Sequence, residues 1–399
     1  MIPLALSHAT IVTALGKGVQ AHLSALQNSH SGLRPCSFEG VTLDTNMGEV
    51  EGLNSVALAT NLRHFDCRNN RLALLGLAQD GFEESIAQAR RRYGGNRIGV
   101  FIGTSTSGIL ETEHAYQQRD PKTGVLSSEF LHKYRYTQNT FSVADFVRTQ
   151  LQLTGPAFVI STACASSAKV FASAARFIQA GVCDAAVVGG VDSLCLTTLY
   201  GFSALQLTSP LPCRPCDQDR DGLTIGEGAA FLFLEKFPMS GSTRRMGLLG
   251  YGESCDAHHM SHPHPTGQGA VLAMEQALAS SALRTSDIDY IHLHGTATRA
   301  NDQTEDQAIT SLFGTHTPCS STKGWTGHTL GAAGGVEAVI GLLCLQHQYL
   351  PGTLNTNVID PAFSCQVLLK NEERPIRRLL SNFFGFGGNN CSLVLGFPR

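Results

Sequence analysis

The sequence predicts an α/β fold, and three observations carry that expectation. Short apolar runs alternate with helix-like segments along most of the chain, the pattern required where helices cover a sheet. Across 399 residues the hydrophobic share is 42%, enough to bury a substantial core in a chain longer than a usual single domain. The 41 glycines are scattered among the apolar runs without a low-complexity period, so the chain reads as globular and not as a linker.

Taken in order, residues 11–16 read as a first strand and turn. Residues 1–15 lack a basic stretch and a cleavage site, so no signal peptide is expected. Runs at 98–103, 157–160, 185–189, 229–234 and 288–293 read as strands, and 391–395 as a closing strand. Helical patterns cover 165–180, 270–283 and 336–346. Residues 105–150 break the alternation with polar and aromatic side chains, among them Tyr116, Phe130 and Tyr134. A weak internal echo links 187–192 with 380–383, each following a helix that opens with a candidate active-site segment. No apolar run approaches about 20 residues, so no membrane span is expected.

Composition narrows the function. Lys and Arg number 29 against 32 Asp and Glu, a formal charge of −3, with no block of like charge, which gives a nucleic-acid role no support. The twelve cysteines are dispersed, so reduced thiols and a cytoplasmic location are expected. Cys213 and Cys216 have the spacing of half a zinc site but lack a second half, and no metal is expected. Asp217–Gly222 mimics a calcium loop, yet Gly228 stands where the pattern requires an acid, so a structural loop is favoured. The histidines of 256–265 (His258, His259, His262, His264) lie in a loop stiffened by two prolines and read as structural or tunnel-lining.

Cys164 is the candidate nucleophile. It lies in Ser161-Thr-Ala-Cys-Ala-Ser-Ser167, between a strand pattern and a helix pattern. A thiol at a helix N-terminus is expected to favour thiolate, and the free amides there can hold an oxyanion. Two distant segments supply partners, His294 in His-Gly-Thr-Ala-Thr (294–298) and His328 in Lys-Gly-Trp-Thr-Gly-His (323–328). A cysteine nucleophile needs such neighbours for activation and for stabilising charge on a carbonyl.

Four blocks, T-A-C-A-S-S (162–167), R-D-G-L-T-I-G-E-G-A (220–229), H-G-T-A-T (294–298) and K-G-W-T-G-H-T-L-G-A-A-G (323–334), together with the glycine loop at 382–390, run in order along the chain. In them the sequence resembles the β-ketoacyl-acyl carrier protein synthases, the Cys-His-His condensing enzymes of the thiolase-like superfamily. The resemblance implies a duplicated α/β unit in five αβαβα layers. Residues 1–240 would form the half with the nucleophile and the 105–150 cap, and 241–399 the half with both histidines.

It further implies a decarboxylative Claisen condensation of malonyl-acyl carrier protein with an acyl chain on Cys164. His294 and His328 would donate to the enolate, and Lys323, paired with Glu337, would orient them. Phe386 would gate acyl entry and, with Cys164, supply oxyanion-hole amides. Thr296, Thr298 and Gly387 would hold the phosphopantetheine arm. No cofactor is implied, and Asn389 departs from the family's usual threonine. The acidic carrier would dock on Arg63, Arg68, Arg71 and Arg214.

Residues 103–108 and 294–305 look most like ketosynthases of aryl polyene clusters, which pair with a cysteine-less chain-length-factor homologue. A homodimeric fatty-acid elongation synthase, a non-catalytic partner subunit and a degradative thiolase stay open at this point.

Overall fold

Ten strands, most of them close to an apolar run of the sequence, form the frame of the protein. A computed structural model describes residues 1–238 and 245–398. The strands are β1 (Leu4–Thr13), β2 (Ile98–Gly103), β3 (Ala157–Ile160), β4 (Ala185–Asp192) and β5 (Gly228–Lys236), then β6 (Gly247–Cys255), β7 (Tyr290–His292), β8 (Pro318–Ser320), β9 (Arg378–Gly385) and β10 (Asn389–Gly396). The main helices are α1 (Arg68–Leu77), α2 (Phe82–Tyr93), α3 (Ile109–Gln117), α4 (Ser128–Thr137), α5 (Ser142–Gln150), α6 (Ser166–Gln179), α7 (Leu196–Ala204), α8 (Gln268–Ser281), α9 (Arg299–Phe313) and α10 (Ala333–His347).

Strand order exposes the duplication. The first five strands run β3-β2-β4-β5-β1 and the second five run β8-β7-β9-β10-β6, so each set places its third, second, fourth, fifth and first strand side by side. The echo between 187–192 and 380–383 therefore falls on equivalent strands, β4 and β9. The expected pair of separate sheets is joined instead, because β1 and β6 pair antiparallel at Leu4↔Leu248 and Ala5↔Gly247. The expected division at residues 240/241 lies outside the described residues.

Five layers follow from what each helix touches. α6 and α10 pack on each other and on strands of both sets, forming the middle layer. α1, α2 and α5 cover the outer face of the first set, and α8, with α9 behind it, covers the outer face of the second. Residues 333–345 of α10 are all buried, which explains why they are apolar except for Glu337, since a helix with no solvent face needs no polar stripe. By length and composition alone Leu330–His347 would pass for a membrane span, but it is a core element between two sheets. Gly334 permits the middle layer to close, because a Cβ there would lie 2.2 Å from the Ala168 nitrogen of α6.

Residues 105–150 depart from their irregular appearance, since they form α3, α4 and α5. Helix α5 buries Val143, Phe146 and Val147 against the outer face of β2 and β3. The other two expose more, including Tyr116 and Leu131.

Candidate active site

The two strand sets bring Cys164, His294 and His328 to one point. Cys164 follows β3 and stands two residues before α6. Ala163 holds φ 51°, a left-handed conformation costly for a residue with a Cβ, and it turns the chain sharply enough to present the thiol. Ser166 secures the turn, its Oγ accepting the Thr162 N–H at 2.9 Å. His294 follows the end of β7, and His328 is held by its own N–H to the Thr224 carbonyl at 2.7 Å.

His328 Nε2 lies 3.0 Å from Cys164 Sγ. The two imidazoles meet edge to face with centroids 5.4 Å apart. The thiol and both rings each have a ligand-type atom within 4.8 Å of the others. All three side chains are buried. The Nδ1 atoms of both histidines have no hydrogen-bond partner among the described residues.

Burial dominates the electrostatics. Both imidazoles are held well below the usual histidine range by desolvation first and then by Lys323, so they are neutral at pH 7. The Cys164 thiol is pushed up to about 12 by burial, against the opposing pull of Lys323 and of the Phe386 and Cys164 N–H groups. This corrects the expectation of a stored thiolate: the apolar surroundings outweigh the nearby helix end. Lys323 Nζ donates to Glu337 Oε1 at 2.6 Å, as the sequence reading paired them, and burial pushes Glu337 up to about 7 despite the lysine.

Above the three side chains opens a cavity of about 470 Å³ lined by Thr296, Thr298, Gly385, Phe386 and Gly388 among others. Thr296 and Thr298 share a hydroxyl–hydroxyl contact of 2.8 Å. Gly387 is not in the lining; its N–H donates to the Met260 carbonyl at 2.7 Å, tying the glycine loop to the histidine-rich loop. Of that second loop, His262 lines the cavity. Phe386 stacks on Phe202 of α7 at 5.4 Å. Asn389, the departure from the family's threonine, accepts from Lys169 Nζ at 3.2 Å.

The docking arginines do not form one patch. Arg68 is buried and paired with Glu227 at 2.7 Å and Glu49 at 3.1 Å, so it is a core residue and cannot meet a partner. Its position on α1 turns it inward, opposite to the expectation. Arg71 pairs with Asp66 at 2.6 Å, Arg214 stands 3.7 Å from Asp221, and Arg63 is exposed. In the calcium-like loop, Asp217 accepts backbone N–H groups and Arg220 pairs with Asp360 at 2.7 Å.

Three buried carboxylates escaped the sequence reading. Glu305 on α9 accepts the N–H of His294 and of Gly295, both at 2.8 Å. Asp302 accepts the Thr296 N–H at 3.0 Å. Their signal was the pair of acids three apart just after the histidine motif. Asp192, at the end of β4, accepts from Thr104, Thr106 and Gly331 and joins the loop after β2 to the His328 segment. The strand was expected to stop at residue 189, and Asp192, though part of the 187–192 echo, was given no role.

Comparison with known proteins agrees with this arrangement. Residues 70–238 match the family described as "Beta-ketoacyl synthase, N-terminal domain" and 247–357 match "Beta-ketoacyl synthase, C-terminal domain". The mitochondrial 3-oxoacyl-[acyl-carrier-protein] synthase of Arabidopsis thaliana is 33% identical, over 96% of this chain and 91% of its own. Among solved structures, the ketosynthase ApeO in complex with its chain length factor ApeC from Xenorhabdus doucetiae superposes with a TM-score of 0.88. It shows 38% identity and covers 99% of this chain and 98% of that one. The ishigamide ketosynthase/chain length factor gives 0.89 at 26% identity, over 99% of each chain.

Proposed function

The chain belongs to the β-ketoacyl synthase family, acyltransferases that form carbon–carbon bonds, and on that premise we propose a decarboxylative condensation at Cys164. The observation that carries this reading is the 3.0 Å contact between Cys164 Sγ and His328 Nε2, with His294 beside it, at the floor of the cavity.

In the first half-reaction Sγ attacks the carbonyl of an acyl thioester on carrier protein. His328 Nε2 takes the thiol proton as the carbon–sulfur bond forms, since a thiol raised to about 12 carries almost no thiolate at neutral pH. The bond to the pantetheine arm breaks, and the departing arm thiolate receives that proton. The N–H groups of Cys164 and Phe386, which face the sulfur, hold the oxyanion.

In the second, a malonyl arm enters. Its carbon–carboxylate bond breaks, CO2 leaves, and the electron pair becomes an enolate whose oxygen accepts from the N–H of His294 and of His328, the latter now in its Nε2–H tautomer, opposite to the one that takes the thiol proton. Neutral imidazoles suit this role, because a donor aimed at growing charge stabilises the transition state more than the substrate. The enolate carbon attacks the acyl-Cys164 carbonyl, the thioester bond breaks, and the released thiolate takes up the one proton that decarboxylation consumes overall. The substrates bring their own phosphopantetheine arm, so no resident cofactor enters.

We place the enzyme in aryl polyene-type biosynthesis, paired with a chain-length-factor homologue. Support comes from the variant residues at 103–108 and 294–305 and from the likeness to a ketosynthase in complex with its chain length factor. A homodimeric elongation synthase is the second reading, favoured by the 33% identity to the Arabidopsis synthase. Cys164 with both histidines argues against a non-catalytic subunit. Cys391 sits inside β10, buried and away from the cavity lining, which argues against a thiolase with a second catalytic cysteine.

The test is reconstitution with malonyl carrier protein and a panel of acyl carriers, with and without a co-expressed chain-length-factor homologue. Ketoacyl product only with the partner, and on unsaturated or aryl starters, supports the first reading. Product from the chain alone on saturated starters supports the second.

A further inference from the structure

The cavity lining carries three charged side chains outside the catalytic floor, and they differ in how they are satisfied. Asp256 accepts the His264 N–H at 2.9 Å and Asn390 Nδ2 at 2.7 Å. Asp221 accepts Ser209 Oγ at 2.7 Å and faces Arg214. Arg299, the one lysine or arginine in the described lining, is exposed and has no ion pair or hydrogen bond among the described residues. It feels Asp360 only at a distance, and that carboxylate is already held by Arg220 at 2.7 Å.

Position gives this free guanidinium a meaning. Arg299 opens α9 directly after Thr298, and residues 294–299 run from the catalytic histidine outward along the cavity wall. Five residues reach at most about 17 Å, the same order as a stretched pantetheine arm. The left-handed Gly295 and Ala297 keep the segment shorter than that limit, so a pantetheine arm seated on Cys164 and laid along this wall is long enough to bring its phosphate to Arg299. Ser261 and His262 line the same cavity from the histidine-rich loop and add polar donors there.

We propose that Arg299 is a substrate-binding residue that recognises the phosphate of the phosphopantetheine arm. This rests on the condensing-enzyme reading above and assigns a residue it left unused. A planar guanidinium with no competing carboxylate suits bidentate phosphate contact.

The test compares two thioesters that differ only in the phosphate, acyl-phosphopantetheine and acyl-pantetheine, following Cys164 acylation by intact mass over a concentration series. The wild-type chain should prefer the phosphorylated thioester. Arg299→Gln should raise its KM about tenfold, as loss of one charge-assisted contact does, with kcat unchanged and no change toward acyl-pantetheine. Arg299→Lys, which keeps the charge, should recover part of the preference. An equal effect on both thioesters, an unaltered KM, or no wild-type preference overturns the proposal. An effect confined to carrier-bound substrate overturns it too, and assigns Arg299 to the carrier's protein surface. Failure of the wild type with every thioester, carrier-bound ones included, both alone and with the chain-length-factor homologue, would instead strike the condensing-enzyme reading.

Discussion

Cys164 and Lys323 show how burial, more than sequence neighbourhood, sets the chemistry of this site. A thiol pushed up to about 12 reacts through its small ionised fraction, so alkylation of Cys164 by iodoacetamide should climb steadily past pH 9 without a plateau. A plateau near neutral pH would show a stored thiolate. His328→Ala should slow acyl transfer far more than alkylation, because only the former needs the proton relayed. Lys323 and Glu337 form a buried pair at 2.6 Å, and removing one partner of such a pair costs about 3–5 kcal/mol. Lys323→Ala should therefore unfold at markedly lower denaturant concentration. Lys323→Met combined with Glu337→Leu should regain much of that stability while staying inactive, which separates the structural role from the chemical one.

At the scale of elements, the site depends on the close approach of α6 and α10 at Gly334, where no side chain fits between their backbones. A methyl at Gly334 would lie 2.2 Å from backbone of α6, and overpacking of this kind costs about 1–3 kcal/mol. Gly334→Ala should lower the melting temperature and reduce acylation of Cys164, both read on one sample. Most strands and the two central helices were legible in the sequence because buried elements are dominated by apolar residues, as 98–103 and, apart from Glu337 and Gln346, 336–346 are. The cluster of Cys164, His294 and His328 was legible because its residues sit in dense motifs. Arg68 was misread because sequence shows an arginine on a helix but not which face that helix buries. The roles of Asp192, Asp302 and Glu305 were missed because their partners, backbone amides and for Asp192 also the Thr104 and Thr106 hydroxyls, are brought close only by folding. The cap looked irregular because α3 and α4 bury little and so lack a strong apolar period.

For the whole molecule, duplication brings residues from both halves to one cavity, and stability and activity share its buried groups. His22, far from the cavity, isolates one contribution to stability. It is fully buried, with Thr13 and the Gly18 carbonyl on its ring nitrogens at 2.8 Å each, and burial lowers it to about 4. A histidine depressed in the folded state contributes stability that is present above its unfolded value of 6.5 and is lost as pH falls. Between pH 6.5 and 4 the wild type should lose about 1.4 kcal/mol per pH unit more than His22→Gln, measured by urea titration at each pH. Equal slopes would contradict the burial of that ring. Glu305 and Glu337, both raised to about 7 by burial, act with the opposite sign. Their contribution is present below about 4.5 and fades as pH rises through 7, so the difference between variants is the informative quantity.

The central claim is that Cys164 carries the growing chain. Its most direct test is the intact mass of the protein after incubation with acyl carrier protein substrates, alone and with the chain-length-factor homologue, followed by addition of malonyl carrier protein. The account predicts one acyl adduct on Cys164, absent in Cys164→Ala and discharged on malonyl addition as a 3-ketoacyl product two carbons longer. An adduct that persists in Cys164→Ala, or no adduct with or without the partner, would contradict it.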